Sequence, residues 1–360
     1  MTGPVQGWPA LLRPFIRLAF ALLASILLLS GCRPVPLQEQ QAFVFGTRVE
    51  VIVADAEAAK AKQAIAIVLQ EFDRLHRQFH AWQPSELTTL NTAIAAGQAQ
   101  LVSRELADLI HEAQALAAQG DYLFDPGIGR LIALWGFQSD EFKAELPDSA
   151  ALQAWQENRP SLADIRLEGQ TVHSRQRGVA LDFGGYLKGV ALDRAASLLR
   201  SQGIQHALIN IGGNILALGN KQGRPWRVGI QHPRQSGPLA TLELADGEAI
   251  GTSGDYQRYF DYAGERYPHL LDPRNARPAQ HTQALTIVIP AGDKAGTRSD
   301  ALSKPLFIAG APAWQTLAQQ LQIKQVLRVD REGKIQVTAP LHRRLHFVAP
   351  IEGMEILPVP

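Results

Sequence analysis

Residues 206–219 read HALINIGGNILALG, apolar on both sides of a Gly-Gly pair. Glycine-bearing two-residue turns join antiparallel strands, so this stretch reads as strand, tight turn, strand. Further strands are signalled by LTIVIP, by QVLRVD and KIQVT flanking Arg331-Glu332-Gly333, and by the alternation of Val49, Val51 and Val53 up to Ala54-Asp55. Between them lie helix patterns. Ile65, Val68, Leu69, Phe72, Leu75 and Phe79 recur at three and four residues. Ser103 is an N-cap for a helix carrying Leu106, Leu109, Ile110 and Ala113 and stopped by Gly120; a third helix follows Gly185 and ends before Gly203. Hairpins mixed with separate helices predict an α+β fold, with mixed or antiparallel sheets and packed helices, rather than a doubly wound parallel sheet.

The first forty residues stand apart. Arg13 and Arg17 precede LAFALLASILLLS, which is too short and too abruptly ended for a membrane span and reads as the apolar core of a secretory signal. It stops at Leu29-Ser30-Gly31-Cys32, a stretch that resembles a bacterial lipobox, with Cys32 lipidated and becoming the mature N-terminus. Cys32 is the only cysteine, so no intramolecular disulfide is expected. The reading is a lipoprotein signal over 1–31, a proline-bearing polar spacer over 32–42, and a folded domain from Phe43 onward, exported and tethered to a membrane surface facing the periplasm. Arg33, in place of an aspartate after the cysteine, favours the outer membrane. With 35 basic and 34 acidic residues, the charge gives no argument for a nucleic-acid partner.

Five stretches carry chemistry. Gly120 to Gly129 holds Asp121 and Asp125 with a proline and three glycines that permit close backbone approach to a ligand; the alternative is an ordinary loop. Leu181 to Gly189, LDFGGYLKG, leaves a strand, turns on Gly184-Gly185 and enters a helix. Free amides and Lys188 at a helix start favour phosphate; the alternative is a plain turn with a surface lysine. Ile211-Gly212-Gly213-Asn214 by itself is only a hairpin turn. Thr252, Ser253, Gly254, Asp255, Tyr256 and Tyr259 precede His269 and Asp272. A histidine can take a proton from an attacking hydroxyl, or can be a satisfied structural imidazole. No Gly-x-Ser-x-Gly elbow frames Ser253, which excludes that class of serine hydrolase. Last, Asp300 within RSDALSKP can bind Mg²⁺ or pair with Arg298.

Taken in order, Phe45-Gly46-Thr47, WQPSELTTLN, Phe124-Asp125-Pro126, Leu134 to Phe137, LDFGGYLKGVALDRA, INIGGN, PWRVGIQHP, TSGDYQRYF and HLLDPR resemble the landmarks of the ApbE family, the FAD:protein FMN transferases. The resemblance implies that residues 43–360 bind FAD as substrate beside Mg²⁺. The FMN moiety passes to a threonine or serine hydroxyl of a periplasm-facing target flavoprotein, and AMP is released. It implies Phe45 and Trp82 around the flavin or adenine, with Phe124, Asp125 and Asp182 contacting FAD. Lys188 would lie near the phosphates or ribityl chain, and Thr252, Ser253, Gly254 and Asp255 would shape the cleft. His269 would be the base, and Asp300 with the Gly185 carbonyl would ligate the metal.

Several positions depart from the family's usual residues. Phe45 and Trp82 stand for methionine and tyrosine, Asn214 for aspartate, Ala276 for glycine, and Lys304 for the threonine that joins the metal site. Lys304 is no Mg²⁺ ligand; if the segment is helical it faces Asp300 at i, i+4 and can close an ion pair in the metal's place, although Pro305 disfavours helical geometry at Lys304. The alternative is that Lys304 points to solvent and Asp300, with the Gly185 carbonyl, binds Mg²⁺ through added waters. These departures keep two alternatives open: a non-catalytic FAD-binding lipoprotein and a metal-dependent FAD pyrophosphatase.

Overall fold

The computed structural model describes residues 36–139 and 141–359, so the signal and lipobox readings, including Cys32, lie outside the described residues. The central element is a nine-stranded sheet: β1 (Gln38–Val44), β2 (Thr47–Val53), β3 (Ala207–Ile211), β4 (Asn214–Leu218), β5 (Ala249–Gly254), β6 (Thr282–Ile289), β7 (Val326–Asp330), β8 (Ile335–Thr338) and β9 (Glu355–Leu357). Each strand pairs with the next along the chain. Every pairing is antiparallel except the parallel β8–β9. The β3–β4 turn has both glycines at positive φ, 58° for Gly212 and 92° for Gly213, as a mirror-image hairpin turn requires.

β1 corrects one expectation. Residues 38–42, read as spacer, pair with residues 49–53 of β2. Their polar side chains hid the strand, but an edge strand needs only its backbone bonds and one covered face, and Gln41 bonds across to Glu50 at 2.8 Å.

The helices that matter to the site are α1 (Ala58–Gln78), α2 (Glu86–Ala96), α3 (Arg104–Gln119), α4 (Leu187–Ser201) and α5 (Ala295–Ala309). α1, α3 and α4 follow the sequence pattern, and Ser103 Oγ accepts the Leu106 N–H at 3.1 Å as the predicted N-cap. α2 was not predicted. Its start is a reciprocal cap in which Ser85 Oγ accepts the Thr88 N–H at 3.0 Å and Thr88 Oγ1 accepts the Ser85 N–H at 2.9 Å.

One sheet face packs against these helices through Ile209, Ile211, Leu216, Leu285 and Ile287. Residues of opposite parity, Leu208, Ile215, Ala217 and Val288, meet a second core with strands Trp226–Gln231 and Pro238–Leu244. A third, aromatic core of Trp135, Phe137 and Phe260, with Tyr267 packed on it, braces the hairpin Tyr259–Tyr262/Glu265–Pro268, which leads directly into His269. Trp135 Nε1–H donates to the Ala276 carbonyl at 2.9 Å and fixes the turn that follows. These are the mixed sheets and packed helices of an α+β fold.

α5 is buried on almost every side, wedged between α4 and β5. Two glycines make room. A methyl on Gly251 would lie 1.9 Å from the Ser299 carbonyl oxygen, and one on Gly189 would lie 2.5 Å from that of Gly296. The start of α5 is capped from α4, where the Asp193 carboxylate accepts the Gly296 and Thr297 N–H groups at 2.8 and 2.7 Å. Pro305 sits inside α5, contrary to the expected disruption at Lys304. Burial of the whole helix outweighs the lost backbone bond, worth about 3 kcal/mol in an exposed helix.

Because neither carbonyl can move without lifting α5, Gly251→Ala is expected to lower stability by roughly 3 kcal/mol, measured by urea unfolding. A change within experimental scatter would show that α5 has slack.

Candidate functional site

The loops at the ends of these elements converge on a cleft of about 640 Å³. A volume of this order suits a bound organic ligand. Its first wall is aromatic. Phe45, in the β1–β2 turn with φ of 57°, sits 5.7 Å from the His76 ring; His76 sits 4.9 Å from His80, and His80 4.5 Å from Trp82. The Arg258 guanidinium lies 5.8 Å from the Trp82 ring centre and donates to the Phe137 carbonyl at 2.8 Å. Phe124 lines the cleft from another side, with its ring 6.2 Å from Tyr186.

The second wall is cationic. Lys188, in the first turn of α4, donates to the Gly184 carbonyl at 2.8 Å and lies 4.0 Å from Asp300 Oδ1. Lys304 donates to the Asp300 backbone carbonyl at 2.7 Å and closes an ion pair with Asp300 Oδ1. Oδ2 of Asp300 accepts the Gly189 N–H at 2.9 Å. Both lysines line the cleft, whereas Asp300 is fully buried behind them at 0% exposure. Burial alone would raise the Asp300 pKa, but the charges of Lys188 and Lys304 and the hydrogen bonds from Lys304 and the Gly189 N–H hold it below the ordinary carboxylate range. Burial pushes the Lys304 ammonium down, to about 8, with Asp300 opposing.

The third feature is His269. Its backbone N–H and its ring Nδ1 both meet the Arg258 carbonyl at 3.0 Å. A carbonyl only accepts, so Nδ1 carries the proton and Nε2 is left as the basic nitrogen. Burial pushes the imidazole down to about 3, and the positive charges of Arg258, Lys188 and Lys304 act in the same direction. His269 is therefore a neutral, tautomer-fixed imidazole at neutral pH. A second hollow, of about 1010 Å³, is lined by Leu134, Trp155 and Pro160 with Arg130 and Arg177 but gathers no acid or base; the chemistry points to the cleft.

The sequence model of the ApbE family matches residues 45–327. The chain belongs to the ApbE family. It is 36% identical over 353 residues to an FAD:protein FMN transferase of Rhodobacter capsulatus, covering 96% of this chain and 67% of that one. Its identity to the FAD:protein FMN transferase of Vibrio cholerae is 28% over 316 residues, covering 86% and 93%. The fold matches the crystal structure of the Thermotoga maritima ApbE protein with a TM-score of 0.78 at 28% identity, covering 86% of this chain and 99% of that one. The apo flavinyl transferase ApbE of Pseudomonas stutzeri matches with a TM-score of 0.75 at 26% identity, covering 89% and 99%.

Within this ApbE fold the predicted residues separate. Phe45, Trp82, Phe124, Asp125, Asp182, Gly185, Lys188, Thr252, Ser253, Gly254, His269 and Lys304 all line the cleft. Asp255 does not: its carboxylate is held by Arg234 in a two-pronged pair at 2.7 and 2.6 Å. Asp125 lines the cleft but turns its carboxylate into the protein, where Oδ1 accepts the Gly127 and Leu162 N–H groups at 2.7 and 2.9 Å and Oδ2 accepts the Ser161 hydroxyl. Desolvation raises its pKa. Asp182 likewise accepts from Gly184 N–H at 2.8 Å and from Gln138 at 3.2 Å. Ser253 Oγ meets Ser303 Oγ at 2.8 Å, and Thr252 Oγ1 meets Thr286 Oγ1 at 3.0 Å.

Four of the amides expected to be free around the start of α4 are taken. Gly184 N–H goes to Asp182, Tyr186 and Leu187 N–H to the Phe183 carbonyl, and Gly189 N–H to Asp300. The incoming segment is not a regular strand; Asn91 instead clamps Leu181, accepting its N–H at 2.7 Å and donating to its carbonyl at 2.9 Å. The full positive charges on this wall are those of Lys188 and Lys304. Sequence reading missed His76, His80 and Arg258 as lining residues. The signal for His76 was its place four residues after Phe72 on the stripe of α1, with His80 four residues further, just past the helix end.

The Mg²⁺ site implied by the family does not fit these residues. Both Asp300 carboxylate oxygens are engaged, one by an ammonium group. The Lys304 stem lies against Gly185, 3.5 Å from where a β-carbon on that glycine would sit. Among the described residues no cluster of three or more His, Cys, Asp or Glu side chains forms a metal site. The other departures are benign. Asn214 Oδ1 accepts the Thr252 N–H at 3.1 Å, and Ala276 takes the left-handed conformation at φ 58° with its methyl buried, so strain and burial offset to within about 1 kcal/mol.

The unfolded chain protonates its histidine near the ordinary 6.5 and the folded chain protonates His269 only near 3. Between those values the unfolded state binds the extra proton, so stability falls as pH drops through that window. Urea unfolding at neutral pH and near pH 4.5 is expected to show a smaller acid loss for His269→Asn than for the wild type; equal losses would contradict the neutral imidazole.

Proposed function

We propose that this chain transfers the FMN moiety of FAD to a hydroxyl group of a target flavoprotein and releases AMP. The observation that carries the reading is one cleft uniting an aromatic wall for flat rings, two ammonium groups for a diphosphate and a neutral imidazole with a free Nε2. The attacking group is a threonine or serine Oγ–H. Its oxygen forms a bond to the FMN-side phosphorus, the anhydride bond on that phosphorus breaks, and the bond's electron pair leaves on the AMP oxygen. The hydroxyl proton passes to His269 Nε2 and from there to solvent or AMP. Phosphoryl transfer asks mainly for alignment and charge neutralisation, which fixed lysines supply. Binding a dianionic diphosphate beside Lys188 and Lys304 offsets the charges that depress His269 and raises its basicity when substrate is present.

The cleft and its fixed tautomer argue against a merely FAD-holding protein, and the three outcomes are separable. With FAD and acceptor present, a protein-bound FMN mass shift is expected, rather than free FMN or unchanged FAD. His269→Ala is expected to slow transfer by about 10²- to 10⁴-fold while FAD affinity, read by fluorescence quenching, stays within a few-fold. Unchanged transfer by that variant would remove His269 from the chemistry.

The same reading extends to location. The sequence of residues 13–32 supports a lipid anchor on Cys32 that places the domain at a periplasm-facing membrane surface beside its targets. Cys32→Ala is expected to move the protein from the membrane to the soluble fraction; retention in washed membranes would refute the anchor.

A further inference from the structure

Resting on the FMN-transfer reading, the structure assigns to Lys304 the place of the divalent metal: we propose that its ammonium group, with Lys188, neutralises the FAD diphosphate and that transfer in this chain needs no divalent cation. The donor set is the evidence. Asp300 has two carboxylate oxygens; Lys304 holds one and the Gly189 N–H holds the other at 2.9 Å. A hard cation such as Mg²⁺ would bind Asp300 through a carboxylate oxygen, and here it would have to enter beside the ammonium group that already holds Oδ1, with Oδ2 tied to the Gly189 amide. The Lys304 stem also runs beside Gly185, the other position expected to ligate, with its ε-carbon 3.5 Å from where a β-carbon on that glycine would sit.

The charge and donor geometry suit an anion in front of the pair. Lys304, which lines the cleft, has three N–H donors and spends two on Asp300, so one remains for a ligand. Lys188 spends one on the Gly184 carbonyl. Two ammonium groups against one carboxylate leave one net positive charge on this wall, fixed in place before substrate arrives. Asp300 positions that charge from behind, fully buried, and contributes no cleft surface. A threonine at 304 would leave Asp300 and Lys188 to cancel, and such a site needs an added cation.

The test uses the full chain in detergent, FAD, and as acceptor the membranes of cells lacking this chain, with covalent flavin read by fluorescence in denaturing gels. In excess EDTA, FAD quenching and flavin transfer are expected to persist, with rates within about 2-fold of those with added Mg²⁺, and Mn²⁺ is expected to keep its free-ion EPR signal in the presence of the protein. Lys304→Thr is expected to lose at least about 100-fold in EDTA and to recover with Mg²⁺. The wild-type arms stand without that variant should it fold poorly. Transfer that stops in EDTA and returns with Mg²⁺, while FAD quenching continues, overturns the lysine assignment and leaves the FMN-transfer reading intact. Absence of both FAD binding and flavin transfer with and without Mg²⁺ overturns the two together.

Discussion

The close approach of α5 to α4 and β5 is the constraint on which the rest depends. It exists because Gly189 and Gly251 carry no side chain where the Gly296 and Ser299 carbonyls pass. The same approach buries Asp300 completely. An isolated carboxylate at such a depth is costly, so it is paired and hydrogen-bonded: Lys304 one turn along the same helix, Lys188 from α4, and the amide of Gly189 itself. A packing decision thereby becomes an electrostatic one. The charges that satisfy Asp300 from the cleft side are the charges a diphosphate meets.

Around that fixed point the other loops are aimed rather than merely gathered. The aromatic core of Trp135, Phe137 and Phe260 carries the hairpin that ends at His269, and the Arg258 carbonyl takes two N–H groups from that one residue. Asp125 and Asp255 act on the same principle from further out. Each carboxylate anchors a loop, one to the Ser161–Leu162 turn and the other to Arg234. Acidic residues that look like ligands from their company are here the fasteners of ligand-bearing loops.

Much of this was legible in the residues. The Gly212-Gly213 hairpin, the stripe of α1 and the Ser103 cap read out as they fold, because each is a local pattern with a local cause. α2 escaped notice because its cap pairs Ser85 with a threonine instead of the usual Glu or Gln. α5 escaped because a helix buried on nearly all sides has no amphipathic period to display, and it contains a proline besides. Among site residues, composition and order pointed to Lys188, His269 and Lys304, but the direction of a carboxylate is set by partners distant in sequence. Nothing near Asp125 announces the Leu162 amide, and nothing near Asp255 announces Arg234. The i, i+4 spacing did announce the Asp300–Lys304 pair, and the helix it needs is present despite Pro305.

The most direct measurement is a crystal structure of the chain soaked with FAD in a solution containing Mn²⁺, with diffraction collected at the manganese edge. The account predicts flavin density in the cleft, diphosphate oxygens at hydrogen-bond distance from Lys304 and Lys188, and no anomalous peak between them and Asp300. A manganese peak bound to Asp300, with Lys304 swung aside, would contradict it.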